Sequence, residues 1–376
     1  MNTRYLPHSL TDAGVWRLTR LRWRSFIWRF HRRMALGLGW ALALMGLSGS
    51  LLVYRGEIHA WLHPEQGVAE ASVPRAGLNA IMTAAYRVFP ADSGSWRVGF
   101  PRQAADPVEI TYLAGDPFAG PSGPVRILID PYRLQVLGLI EPDSEPVAGW
   151  LYRFHSTWLL NTKGNYWVAG LGGIFLIVWS SGLYVWWSRR RSERRRVSSV
   201  HQRIGLVGAP VLIISIVTGL YLALPHNWLP EIYPRKNEFD SPVVVPSDGV
   251  MLTPEQVAVV GTDATHGLAL RELQLPVSRR DPYRLAFYVP GTPDVAPAWL
   301  AVWIDPYRGE VLAKGRVGGD DWRNRLARWV CALHDGRALG DWGRAIMASG
   351  GLLPLLLAVS GTRLWWKRRQ RVSTGS

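Results

Sequence analysis

Four of the chain's nine histidines recur at matched places. His31 and His201 each open an uncharged apolar stretch, and 17 residues after each comes a hydroxyl–glycine pair, Ser48-Gly49 and Thr218-Gly219. His155 and His334 each precede a second apolar stretch, and 26 residues after each comes Ser-Gly, at Ser181-Gly182 and Ser360-Gly361. If those stretches cross a bilayer, His31 and His201 share one depth and His155 and His334 another. A lone histidine beside arginine at a helix end is ordinarily an interfacial residue. Two pairs at matched depths argue for more, because ionisable groups in or beside a bilayer are costly and usually functional. Two neutral imidazoles meeting across a pseudo-two-fold axis can ligate one metal, and imidazole suits zinc, copper and iron. Zinc asks for four ligands, and no carboxylate or thiolate recurs beside these histidines. A haem brings four equatorial nitrogens and needs only two histidines. The spacing favours His31 with His201 and His155 with His334 as two such pairs. Helix direction puts Gly49 and Gly219 at the depth of His155 and His334, and Gly182 and Gly361 at that of His31 and His201. Glycine there lets a flat macrocycle approach the backbone, although small residues also serve plain helix packing in membranes. Arg363 stands where Tyr184 stands in the first copy. It can pair with a haem propionate or snorkel past Trp365 to the surface.

Apolar helices must hold these side chains. Charge-free runs of 21 residues separate Arg33 from Arg55, 25 separate Lys163 from Arg189, 27 separate Arg203 from Glu231, and 18 separate Arg344 from Arg363. A helix needs roughly 20 apolar residues, at about 1.5 Å each, to cross the hydrocarbon core. All four runs qualify, the last one marginally. A buried helix of a soluble protein would explain one such run, but hardly four. The expected fold is a polytopic α-helical membrane protein, with four transmembrane helices as a tandem two-fold repeat and two α+β domains outside the bilayer.

The net charge of +15 would suit nucleic acid if it lay on one folded face. It does not. Residues 1–33 carry +7, residues 188–203 carry +6 and residues 367–376 carry +4, so the rest of the chain is near −2. The excess abuts the ends of the apolar runs, which is the positive-inside pattern. Both termini and the central link are expected in the cytoplasm against anionic lipid, with nucleic acid excluded as a partner. The stretches 56–150 and 231–335 then face outward, into the periplasm of a Gram-negative cell. Cys331 is the only cysteine, so no intrachain disulfide staples these domains. The first apolar run follows a 33-residue Arg-rich segment without an A-x-A site and reads as an anchor. The Arg32-Arg33 pair also suits a twin-Arg export signal, a reading that three later spans weaken.

Further motifs repeat in the same order. His-x-Trp-Leu occurs at His59–Leu62 and His226–Leu229, Ile-Asp-Pro-Tyr-Arg at Ile129–Arg133 and Ile304–Arg308, and a Trp pair followed by basic residues at Trp186-Trp187 and Trp365-Trp366. With two spans per copy, the copies share one orientation and an axis along the membrane normal. The divisions are a basic tail over 1–33, spans over 34–54, 151–188, 204–226 and 334–366, outer domains over 55–150 and 227–333, a basic link over 189–203 and a tail over 367–376. The second and fourth spans include the outer histidine segments. In the second outer domain Thr253-Pro254-Glu255-Gln256 predicts a capped helix to about Gly261. Strands are expected near Leu268–Leu275, Arg284–Val289, Trp299–Ile304 and Glu310–Ala313. The last two are joined by a tight turn at Asp305-Pro306-Tyr307-Arg308-Gly309. The first domain repeats the plan, with a helix near Ala76–Val88 and strands on either side of Asp130-Pro131.

The His-led helix ending in Ser/Thr-Gly, the Asp-Pro-Tyr turn and the second His with its Gly…Trp-Trp-x-Arg exit resemble the PepSY-associated transmembrane family, from about His31 to Arg369. The resemblance implies PepSY-like outer domains. It also implies an inner-membrane ferric-siderophore reductase holding two b-type haems, with His31, His201, His155 and His334 matching the family's histidines. Two departures stand out: His59 and His226 are additional histidines, and Tyr184 against Arg363 breaks the repeat.

Three functions compete. The first is an oxidoreductase that carries electrons to Fe(III) held by a siderophore or other chelate in the periplasm and releases Fe(II). His59, Trp61, His226 and Trp228 are the candidate contacts to a bulky chelate. No Gly-rich dinucleotide fingerprint or flavin motif is present, so the electrons must come from a quinol or a separate cytoplasmic reductase. The second is a regulatory protein whose PepSY-like domains bind a peptide or protease. The third, a transporter, is disfavoured because no acidic residue lies inside any of the four apolar runs.

Overall fold

The computed structural model describes residues 12–68, 74–91, 94–101, 103, 105–114, 124–141, 146–192, 199–224, 231–233, 241–291, 298–317 and 321–373. In chain order the elements begin with α1 (Asp12–Val53), α2 (Arg55–Leu62), α3 (Leu78–Val88), β1 (Ser95–Gly99), β2 (Val108–Leu113), β3 (Val125–Ile129) and β4 (Val136–Ile140). Then come α4 (Pro146–Thr157), α5 (Asn161–Ser192), α6 (Val200–Val207) and α7 (Ala209–Ala223). The second half continues with α8 (Pro254–Ala264), β5 (Leu270–Gln274), β6 (Tyr283–Tyr288), β7 (Trp299–Ile304) and β8 (Val311–Val317). It ends with α9 (Trp322–His334), α10 (Gly340–Gly350) and α11 (Leu353–Ser373). The chain divides into a helical unit, formed by residues 1–53, 153–224 and 333–376, and a sheet unit, formed by 54–152 and 225–332.

Among the described residues of the helical unit, three helical stretches are long and apolar enough to cross a membrane: Arg22–Val53, Lys163–Ser188 and Arg337–Arg371. A fourth span exists if α6 and α7, which meet at 57°, are taken as one. That bend corrects the expectation of one unbroken helix over 204–226. Pro210 comes two residues after Gly208, so the carbonyl one turn earlier loses its helical donor and the ring crowds that turn. A second break, between α10 and α11, falls at Gly350-Gly351 just before Pro354. Here α1 passes very close. A Cβ on Gly46 would overlap the Gly351 carbonyl, and Ser50 Oγ donates to the Ala348 carbonyl at 2.7 Å. Small residues at such a crossing let backbones touch where there is no hydrophobic gain between helices in lipid.

Among the described residues of the sheet unit, eight antiparallel strands form one sheet in the order β4-β3-β2-β1-β5-β6-β7-β8. Two separate domains were expected; instead β1 pairs with β5, Val98 opposite Leu273. Each four-stranded half alone would expose a bare edge at one of those strands, and their pairing removes both edges. Helices α3 and α8 feed one core. Leu78, Ile81, Met82 and Ala85 recur at helical spacing and pack with Val257 against Val98, Ile110, Ile127, Leu285 and Phe287. The capping box at Thr253 forms as the sequence requires. Both Asp-Pro-Tyr segments are turns: Asp130 Oδ1 accepts from the amides of Tyr132 and Arg133, and Asp305 Oδ1 from those of Tyr307 and Arg308. Gly309 exits the second turn at φ 68°, whereas Leu134 adopts φ 56° at the equivalent place, a conformation costing about 1–2 kcal/mol for a residue with a Cβ.

The core also holds Tyr283, whose hydroxyl donates to the Leu252 carbonyl at 2.9 Å. Burial, with Tyr86 nearby, pushes its phenol up to about 12. The neutral form is thus favoured on folding. Its stabilisation is complete below the ordinary tyrosine value of about 10 and disappears as pH rises through about 12. The denaturant midpoint of the full chain should fall over that window, and it should fall less steeply in Tyr283→Phe. Equal slopes in both proteins would refute this assignment.

Candidate functional site: two histidine pairs in the helical unit

Each of the four repeated histidines closes on a neighbouring helix in the same way. On α1, His31 Nδ1 lies 2.9 Å from the Val178 carbonyl and 3.0 Å from the Ser181 hydroxyl of α5. His155, in the last turn of α4, meets the Met45 carbonyl at 3.1 Å and the Ser48 hydroxyl at 3.0 Å, both on α1. His201 on α6 meets the Ser360 hydroxyl at 3.0 Å and the Leu357 carbonyl of α11. His334, which ends α9, meets the Thr218 hydroxyl at 2.9 Å and the Ser215 carbonyl of α7. The carbonyl always belongs to the residue three before the hydroxyl.

This network assigns the ring proton. Each hydroxyl spends its hydrogen on its own helix: Ser181 donates to Val178, Ser48 to Met45, Ser360 to Leu356 and Thr218 to Ile214. It can therefore only accept from the histidine, as the carbonyl does. Nδ1 must carry the proton, which leaves the lone pair on Nε2. A metal-ligating histidine is oriented in the same way, by donating its other N–H to a backbone carbonyl or similar acceptor.

The rings come together in two pairs. His31 and His201 have centroids 6.4 Å apart, and His155 and His334 have centroids 6.2 Å apart. Two imidazoles ligating one metal from opposite sides, at about 2.0 Å per metal–nitrogen bond, put their centroids roughly 6.3 Å apart. Seventeen residues of α1 separate His31 from Ser48, so the two layers lie about 25 Å apart along that helix. Among the described residues no three His, Cys, Asp or Glu side chains gather as a metal cage. The donor set therefore fits a metal that brings its own equatorial ligands, as haem iron does.

The glycines make room for the imidazoles. A Cβ on Gly182 would sit 2.8 Å from His31 Cε1, and one on Gly49 would sit 2.8 Å from His155 Cε1. The corresponding distances are 3.2 Å from Gly219 to His334 and 3.4 Å from Gly361 to His201. The hydroxyl and the glycine together are a seat for one ring.

The segments after the outer histidines are also constrained. Following His155, Trp158, Leu159 and Asn161 all have positive φ, at 51°, 62° and 51°. Following His334, glycines take that conformation, Gly336 at 84° and Gly340 at 59°. Such conformations in residues with a Cβ persist only where the surroundings hold them. Here Trp158 stacks on Phe154 and donates its indole N–H to Met45 Sδ, tying the segment to α1.

Other sequence candidates fall elsewhere. Arg363 lies on an exposed face of α11, one turn beyond Ser360, and Tyr184 lies one turn beyond Ser181 on α5. His59 and Trp61 sit on α2 in the sheet unit. His59 Nε2 is 2.9 Å from Gln66 Oε1 and its ring lies tilted against that of His63, while Trp61 is 79% exposed. His226 and Trp228 lie outside the described residues. Sequence reasoning missed the carbonyls of Met45, Val178, Ser215 and Leu357. The signal was available, because a helical serine or threonine bonds back one turn and marks that turn's carbonyls as acceptors.

The family model for the PepSY-associated TM region matches residues 28–368, which include all four histidines and their seats. The chain belongs to that family. No curated protein matches it. As a PepSY-associated TM protein with three to four apolar spanning helices, it is a multi-pass membrane protein.

Proposed function

We propose that this PepSY-associated TM protein is a haem-containing electron-transfer protein of the bacterial inner membrane that reduces ferric siderophores in the periplasm and releases Fe(II). The observation carrying this reading is the pair of histidine–histidine separations, 6.4 and 6.2 Å, each with both Nδ1 atoms anchored. His31 with His201 and His155 with His334 would each hold one b-type haem. When bound, haem supplies one-electron redox chemistry at a buried iron. The hydroxyl–carbonyl seats orient the imidazoles and keep Nε2 basic, and Arg363 offers a cation to a propionate. The electron donor is a quinol or a separate cytoplasmic reductase. His59, Trp61, His226 and Trp228 are the proposed contacts to the ferric chelate. Purified protein should show a Soret band with two low-spin haems per chain; protein that binds no haem when supplied with it would end this reading.

In this reading α6 and α7 form the third of four spans in a tandem repeat, with both termini in the cytoplasm and the sheet unit in the periplasm. The basic clusters at 1–33, 188–203 and 367–376 support that topology. A reporter active only in the periplasm and fused after Arg371 should stay silent; strong activity there would reverse the orientation.

A further inference from the structure

The two helix breaks leave a groove that the histidine sites do not use. It occupies about 590 Å³ between α6–α7 and α10–α11, where α6 turns away at Gly208 and α10 stops at Gly350. Val207, Val211 and Ile346 give it an apolar lining, broken by Arg203, Ser349 and the Trp342 indole. Both walls belong to segments apolar enough to span a membrane, so what fills the groove arrives from the lipid phase. Arg203 sits on α6 two residues from His201, on the short helix that seats one ligand of the His31–His201 pair. A cation at the end of an apolar groove complements an occupant with an apolar tail and an oxygen headgroup that becomes anionic.

We propose that this groove is the docking site of a membrane quinol, with its ring oxygen at Arg203 and its isoprenoid tail along Val207, Val211 and Ile346. The proposal rests on the electron-transfer reading and supplies its donor. Quinols give up electrons most readily as the quinolate anion, and the Arg203 guanidinium stabilises that anion and hydrogen-bonds its oxygen. The quinol loses two electrons and two protons and leaves as quinone. The electrons depart toward the His31–His201 layer and reduce two ferric chelates to Fe(II), while the protons leave at the Arg203 end.

The test photolabels the full-length protein in nanodiscs with an azido-ubiquinone analogue and maps the adduct by mass spectrometry. Adducts should fall on peptides of α6 and α10, be displaced by decylubiquinone and survive the same excess of phosphatidylglycerol. Ile346→Trp, which fills the groove, and Arg203→Gln should each lower labelling at least fivefold. Label elsewhere, or equal displacement by phosphatidylglycerol, would mean a lipid groove and overturn the proposal. A second arm follows haem reduction by decylubiquinol, with dithionite difference spectra as the loading control. It should slow at least tenfold in both variants. Dithionite-reduced protein that still passes electrons to a ferric chelate, with no labelling of the groove, would refute the quinol site and leave the reductase reading standing. Protein without haem would refute that reading instead, while the labelling arm remained decisive for the groove.

Discussion

Alanine at His201 should remove one of two low-spin haem signals and leave the other, halving haem per chain. The same is expected for His31→Ala, because on the proposed reading each member of a pair would supply one nitrogen to the iron and neither has a replacement among the described residues. The His155 and His334 variants should remove the complementary signal, so the two pairs sort by spectrum. Loss of fold is the obvious confounder, since an imidazole fills space between helices. Gly182→Val addresses it: the His31 ligand remains, but an added Cβ alone would stand 2.8 Å from its ring, which must move. That variant should shift or split the signal lost in His31→Ala while the other signal stays unchanged. If all four alanine variants keep two haems per chain, the ligand assignment is wrong. If the additional histidines His59 and His226 held the outer haem instead, haem would be lost from variants at those two positions.

Much of this arrangement could be read from the residues alone, for identifiable reasons. A span declares itself by uncharged length, a local property, and so α1 and α5 were legible. The helix α3, the capped helix α8 and the turns at Asp130 and Asp305 were legible because capping and turn chemistry also act over a few residues. The pairing of the four histidines came from counting residues along helices that alternate in direction. What could not be read depended on partners distant in sequence. Nothing near Val98 announces Leu273, 175 positions later, as its neighbour across β1 and β5. Pro210 was in plain view, but the apolar run around it suggested continuity, and the bend at Gly208 came from the missing N–H rather than from hydropathy. That the glycines make room for imidazoles could not be read, because the contact is with a ring delivered by another helix. Leu134, Trp158 and Leu159 take positive φ where rules of thumb expect glycine, and only tertiary packing can impose that.

Chemically reduced protein, mixed anaerobically with a ferric hydroxamate and a trap for Fe(II), should return to the oxidised haem spectrum as trapped iron accumulates, one electron per iron. The driving force lies in the chelate: a hard hydroxamate holds Fe(III) far better than Fe(II), so the trap pulls each reduced ion away and the transfer runs forward. The substrate approaches from the periplasm on the proposed topology, so the layer of His155 and His334 must deliver the electron. Those histidines are set differently from the other pair. They lie at the ends of α4 and α9, just before segments held at positive φ, whereas His31 lies within the long helix α1. Alanine at either position should lower the reoxidation rate at least a hundredfold, while dithionite still reduces the His31–His201 signal. The separation of the layers, about 25 Å along α1, is why the surviving pair should not substitute. Equal reoxidation rates in wild type and His334→Ala would move delivery to the His31–His201 layer and reverse the direction of transfer. Haem that stays reduced against every ferric chelate would leave an electron carrier for a different acceptor, with the two pairs intact and the siderophore removed from the account.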